Sequence, residues 1–191
     1  MALLDLYRES VTAFADRVAR IRPDQWTGPT PCRDWDVRTL VNHVVYEQRW
    51  SVPLFAGATI ADVGDRFEGD LLGDDPVTAA TAAAQDARAA VGEPGVLDRT
   101  VHLSFGETPA TEYLYQLFAD HLIHGWDLAV GAGQDRTLDP EAVRAVTEWF
   151  ASNEEGYRSS GAIGPRVDLG PEASDQDRLL AAFGRDPNQA G

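Results

Sequence analysis

Leu4, Tyr7, Val11, Phe14, Val18 and Ile21 recur at alternating steps of three and four residues. That spacing lines them along one stripe of an α-helix, and a striped helix is stable only when the stripe is buried against other elements. The same constraint returns down the chain. Pro23 and the GPTP stretch at 28–31 break the first helix. Val37, Leu40, Val41, Val44 and Val45 then form the buried face of a second one, opened by Asp36 as N-cap, with Trp35 and Leu40 at the positions of a hydrophobic staple.

Residues 51–73 hold Pro53, several glycines and mixed charge, and are expected to form a long loop with at most a short helical turn. Asp75 and Pro76 have the form of a cap and first-turn proline, opening an Ala-rich helix to about Val91. RTVHLSF at 99–105 alternates like a half-exposed strand, with Val101, Leu103 and Phe105 on one side. Thr108 and Pro109 are expected to cap a longer helix through Tyr113, Leu117, Phe118, Leu122, Trp126 and Leu128, stopped by Gly131 and Gly133. Asp139 and Pro140 start a further helix with Val143, Val146, Trp149 and Phe150. A tail follows from about residue 160, with one short helix in SDQDRLLAAFGRDP.

At 191 residues the chain suits one domain that buries roughly 70% of its unfolded surface. No apolar run approaches the roughly 18 residues of a membrane span, and MALLDLYRES lacks the basic start and apolar stretch of a secretory signal, so a cytoplasmic, membrane-free protein is expected. A net charge of −15 argues against nucleic acid and anionic lipid as partners. Cys32 is the one cysteine, which excludes an internal disulfide and any zinc site built of cysteines. Metal ligands here must come from His, Asp or Glu.

Residues 120–127 read DHLIHGWD and carry two of the four histidines. Side chains four apart on a helix share a face, with Cβ atoms about 5–6 Å apart, so Asp120 and His124 point to one spot and Asp127 continues their stripe. His43 on the second helix completes a set of two imidazoles and a carboxylate if the two helices are neighbours. Such a set suits zinc with an open fourth position, and equally the facial triad of non-haem iron. The plainer alternatives are a hydrogen-bonded polar patch at Asp120 and His124, and a packed core histidine at His121, which could also replace either as ligand. His102 reads as solvated. Cys32 reads as a nucleophile or a small buried hydrophobe, and the tryptophans as core and staple residues. No Ser-His-Asp motif, Gly-rich phosphate loop or dinucleotide fingerprint is present.

TPCRDWDVRTLVNHVV (30–45), DHLIHGWDLAVGAG (120–133) and ASDQDRLLAAFGRDP (173–187), taken together and in order, resemble the DinB-like family. The branch is the one related to the metal-binding domain of mycothiol-dependent maleylpyruvate isomerase, and the resemblance covers nearly the whole chain. It implies an all-α four-helix bundle, with additional short helices and a short strand segment, as a single domain over 1–191. It implies a divalent metal, usually zinc or nickel, held by His43, Asp120 and His124, with iron left open by the ligand types alone, and it suggests a homodimer. Glu47, Asp127 and His121 are the expected neighbours of those ligands. Aspartate stands at 120 where the isomerase has glutamate, and the tail is far shorter than the isomerase's additional C-terminal domain. The implied activity is therefore transfer of a mycothiol-type thiol to a small electrophile, not maleylpyruvate isomerisation itself. The alternatives are a non-catalytic metal- or ligand-binding bundle and a metal-dependent hydrolase.

Overall fold

The computed structural model describes residues 1–161 and 163–188. Its elements are α1 (Leu3–Val18), α2 (Val37–Phe55), α3 (Ile60–Val63), α4 (Pro76–Ala90), β1 (Thr100–Leu103), β2 (Gly106–Pro109), α5 (Ala110–Gly131), α6 (Pro140–Ala151), α7 (Glu154–Ser159) and α8 (Asp175–Ala182). The fold is all-α with one two-stranded hairpin. α1, α2, α4 and α5 form the bundle: α1 packs on α4 and α5, and α2 packs on the same two.

Short side chains set the helix starts by taking up backbone N–H groups that have no partner within the helix. Asp36 accepts from the Thr39 amide at 2.7 Å, Asp75 from that of Thr78 at 3.1 Å, and Asp139 from those of Glu141 and Ala142 at 2.9 Å each. Ser174 and Asp177 form a reciprocal capping box at the start of α8. On α1, Tyr7, Val11, Phe14 and Val18 are buried as their spacing requires, and Ile21 is buried in the turn beyond the helix end. α5 differs from the others in being buried nearly all round, since α1 and α2 cover one side and α6 another.

The C-terminal segment docks onto this frame. Leu179, Leu180, Ala181 and Ala182 are buried, α8 packs against α6, and Phe183 stacks on Phe150 with ring centroids 4.2 Å apart.

Three expectations change. α2 continues through Pro53 to Phe55 instead of yielding to a loop at 51. Pro53 sits in the last turn, where its missing N–H forgoes a single helical bond, and burial of Ser51, Leu54 and Phe55 outweighs that loss. Second, Thr108 and Pro109 belong to β2, which pairs antiparallel with β1 in the register Thr100↔Pro109 to Leu103↔Gly106. α5 begins without a side-chain cap, the Ala110 amide bonding to the Arg99 carbonyl at 2.9 Å. Third, Phe105 lies at the hairpin turn, 72% exposed, while Val101 is fully buried. α7, six residues long, is too short for periodicity to reveal. No described helix is long and apolar enough to cross a membrane.

Candidate metal centre

Because α2 and α5 are neighbours, His43 comes to face Asp120 and His124. The Nε2 atoms of His43 and His124 lie 3.5 and 3.3 Å from the same oxygen, Asp120 Oδ1, and the three ligand atoms are all within 4.8 Å of one another. A tetrahedral ion with bonds of about 2.0–2.2 Å spaces its ligand atoms roughly 3.3–3.6 Å apart. Both measured separations fall in that range and exceed the usual 2.9–3.0 Å or so of an N–H···O hydrogen bond. Asp120 Oδ2 is buried without a hydrogen-bond partner, an arrangement that is costly unless a cation shares the carboxylate.

Asp127 sits behind His124. Its carboxylate is fully buried and accepts from His124 Nδ1 at 2.9 Å, Cys32 Sγ at 3.2 Å, and Arg185 Nη2 and Nε at 2.8 and 3.3 Å. With the Nδ1 proton directed at Asp127, it is Nε2 of His124 that faces Asp120 and His43. This is the carboxylate–histidine arrangement that orients metal-bound imidazoles. Trp35 lies over both histidines, its ring centroid 4.9 Å from that of His43 and 5.8 Å from that of His124. It is thus part of this site rather than only a staple. Cys32 Sγ, His124 Nδ1 and Asp127 Oδ2 form a second set of close ligand atoms, but the Arg185 guanidinium, 3.6 Å from Cys32 Sγ, already supplies the positive charge there.

The electrostatics follow the geometry. Burial opposes charge on His124, yet the negative charge of Asp120 beside it and the hydrogen bond to Asp127 hold its pKa well above the ordinary histidine value. Burial likewise opposes ionisation of Asp120, and the charge of His124 with the closeness of His43 overcomes it, holding the carboxyl well below its usual range. Glu47, one turn beyond His43, is pushed up to about 7, first by burial and then by the charge of Asp120.

The ligands open onto a cavity of ≈ 850 Å³, which Cys32, Trp35, Glu47, Tyr113 and Arg185 also line. His121 does not join it. Its Nδ1 donates to the Leu117 carbonyl at 2.7 Å and its Nε2 accepts from Gln48 at 2.9 Å, while Tyr7 and Phe14 meet its ring edge-on, so it faces α1 and occupies both nitrogens. Burial pushes its pKa down. His102 lies on the hairpin, away from the cavity. Arg185 was not anticipated from spacing. The one available signal was Asp127, a carboxylate between Trp126 and the apolar run Leu128, Ala129 and Val130 that calls for a partner from elsewhere in the chain.

The family described as mycothiol maleylpyruvate isomerase N-terminal domain matches residues 7–129, a span that includes His43, Asp120, His124 and Asp127 and excludes Arg185. Two Mycobacterium tuberculosis proteins, uncharacterized protein MT0763 of strain CDC 1551 / Oshkosh and uncharacterized protein Rv0738 of strain ATCC 25618 / H37Rv, are each 34% identical over 187 residues, covering 94% of this chain and 95% of their own. Among solved structures, the crystal structure of the mycothiol-dependent maleylpyruvate isomerase superposes with a TM-score of 0.66 at 17% identity, over all of this chain and 82% of that one. A histidine-to-alanine mutant of that enzyme gives 0.65 at 14%, with the same coverage. At such identity the likeness establishes the fold alone.

Proposed function

The chain belongs to the mycothiol maleylpyruvate isomerase N-terminal domain family, and from that premise we propose that it is a divalent-metal-dependent transferase joining a mycothiol-type thiol to a small electrophile. The observation that carries this reading is the convergence of His43, Asp120 and His124 at the spacing of metal ligands on the wall of an open cavity. Structural zinc sites are normally closed by four protein ligands, whereas three with access to a cavity leave a position for a reactant.

Zinc suits the two imidazoles and one carboxylate, with nickel or iron as alternatives. A divalent cation there supplies the positive charge that lowers the pKa of a coordinating thiol, so that thiolate forms near neutral pH. The remaining work falls to side chains. Asp127 holds the His124 proton at Nδ1, Arg185 neutralises Asp127 so that it can stay buried, and Trp35 restricts water above the two imidazoles. Glu47, a carboxyl that burial in the same cavity holds above its usual range, is placed to accept a thiol proton and pass it to solvent. Aspartate at 120 makes the ligand arm one methylene shorter than glutamate, which the separation of 3.3 Å from His124 accommodates.

The test is metal analysis of the purified chain, followed by reaction of mycothiol with a chromogenic electrophile. One metal per chain is expected, lost in His43→Ala and in His124→Ala together with thioether formation. Retention of metal in either variant overturns the ligand set. One metal per chain with no thiol chemistry over a panel of electrophiles moves the reading to a metal-binding bundle, and ester or amide cleavage under the same conditions moves it to a hydrolase.

A further inference from the structure

The cavity extends past the three ligands to an aromatic wall. Trp149 and Phe150 on α6, Tyr157 on α7 and Phe183 after α8 form it. All four rings lie beyond residues 7–129, the span matched by the family. Gln116 joins this wall to the ligands. It lines the cavity one turn before Asp120 on α5, which places the two Cβ atoms about 5–6 Å apart on one helix face, and its side chain reaches the Tyr157 hydroxyl.

The shape of the wall selects its partner. The planes of Trp149 and Tyr157 are inclined by 60°, those of Trp149 and Phe150 by 44°, and those of Phe150 and Tyr157 by 34°. These rings form no parallel slot, so a flat molecule lies against one face at a time, whereas a puckered molecule of two rings meets several. Trp149 is fixed beforehand by parallel stacking on Tyr115 and by the bond from its Nε1 to Glu112 at 3.0 Å, which lowers the ordering cost of binding. Saturated rings bearing hydroxyls fit such a surface. Their C–H bonds, made electron-poor by the neighbouring oxygens, meet the negative faces of the aromatic rings, while their hydroxyls need donors and acceptors. The Gln116 amide supplies both and the Tyr157 hydroxyl can serve as either. A mostly aromatic lining with a few placed polar groups is the usual make-up of a small-molecule site, and ≈ 850 Å³ falls in the usual range of roughly 300–1,000 Å³.

Resting on the thiol-transfer reading of the same cavity, we propose that the aromatic wall and Gln116 hold the carrier of the thiol, a saturated polyhydroxylated ring system such as the sugar and cyclitol of mycothiol. A thiol whose sulfur sits beside His43, Asp120 and His124 has to extend its remaining atoms along the cavity, and the α5 face leads them past Gln116 to Tyr157 and Trp149. These three side chains thereby select the carrier-bearing thiol over smaller ones.

Binding and turnover test this separately. S-methylmycothiol keeps the carrier and has no reactive thiol, and N-acetyl-S-methylcysteine methylamide lacks the carrier. Calorimetric titration of the purified chain is expected to favour S-methylmycothiol by about tenfold or more. Tyr157→Ala and Gln116→Ala should each weaken it several-fold and leave the carrier-free ligand unchanged. In turnover the same variants should raise KM for mycothiol and not for N-acetylcysteine methylamide. Both side chains are half-buried, and Gln116→Ala carries the test should Tyr157→Ala fail to fold. Equal binding of the two ligands, or equal weakening of both in the variants, overturns the seat. So does N-acetyl-S-benzylcysteine methylamide binding as tightly as S-methylmycothiol and losing as much in Tyr157→Ala, because the wall then belongs to the electrophile. If S-methylmycothiol is preferred but mycothiol forms no thioether with any electrophile of the panel, the transfer reading fails and the seat stands. If thioether forms equally fast from mycothiol and from N-acetylcysteine methylamide, transfer stands and the seat fails.

Discussion

Asp127→Asn separates two roles that one carboxylate combines. Four donors point at Asp127: His124 Nδ1, Cys32 Sγ, and Nη2 and Nε of Arg185. An amide of the same shape turns its own N–H groups toward part of that set, so at least one buried donor loses its acceptor and the guanidinium loses its counter-charge. Breaking a buried ion pair typically costs about 3–5 kcal/mol. Arg185 keeps 19% of its side-chain surface exposed against none for Asp127, which places the expected loss near the lower end, about 3 kcal/mol. For a chain of this size that is a fall in Tm of roughly 6–12 °C.

The second effect falls on the metal. When the proton at His124 Nδ1 is no longer fixed by a carboxylate, Nε2 loses basicity and its preferred tautomer, and substitutions of this type cost about 10–100-fold in affinity, or roughly 1.4–2.7 kcal/mol. The assays are thermal unfolding in chelator, which removes the contribution of bound metal, and competition titration with a chromophoric chelator. Asp127→Asn combined with Arg185→Met should regain most of the stability, because the unpaired cation is gone, but none of the affinity. Recovery of both in the double variant, or wild-type metal affinity in Asp127→Asn, refutes the orienting role.

Metal affinity should rise with pH by up to about tenfold per unit until His124 has lost its proton, because the raised pKa makes that proton a competitor for the ligand; a flat profile between pH 6 and 8 counts against His124 as ligand. In chelator-treated protein the sign reverses. A raised folded-state pKa adds stability that is complete below the unfolded value near 6.5 and is lost as the pH climbs through the folded one, so metal-free Tm should fall with rising pH over that window. Gly125→Ala should stabilise α5 by about 0.5–1 kcal/mol, since a methyl group there meets nothing within 4 Å. Gly131→Ala should destabilise, because its Cβ would lie 2.9 Å from the Pro29 carbonyl oxygen and 3.1 Å from Val37 Cγ2, displacing the segment that carries Cys32 and Trp35; denaturant melts of the pair read the contrast directly. Cys32→Ser should leave metal at one per chain, since Arg185 already fills the electrostatic role beside it.

The helices were legible where caps and stripes coincide. Asp36, Asp75 and Asp139 each combine a capping carboxylate with a following apolar period, and each marks a true start. Legibility failed where tertiary burial overrode a local signal, as at Pro53, and where the pairing partner was too short to announce itself, as in β2. For the candidate site, the i, i+4 relation of Asp120 and His124 is a property of one helix and can be read locally. That His43 meets them depends on α2 and α5 being neighbours, which came from resemblance to a family and not from periodicity. Trp35 and Arg185 were out of reach for the same reason: one looked like a staple, the other like a charged residue in a tail, and only packing brings them to His124.

That placement of Arg185 ties the C-terminal segment to the site more closely than a tail suggests. Leu179 and Leu180 bury α8 against α6, the Arg185 amide bonds to the Leu180 carbonyl at 2.9 Å, and its side chain then reaches Asp127 on α5. Asp127 is fully buried, and its ionised form is supported by the His124 hydrogen bond together with that cation; without its charge the His124 proton is no longer fixed at Nδ1. Docking of α8 therefore helps to set the protonation pattern of a candidate ligand more than fifty residues away in sequence. The same docking seats Phe183 on Phe150 and completes the aromatic wall. Local unfolding of the last segment would open the cavity and loosen the candidate metal site in one event, so hydrogen-exchange protection in α8 and retention of any bound metal should decline together under mild denaturant, ahead of exchange in the α1–α5 core.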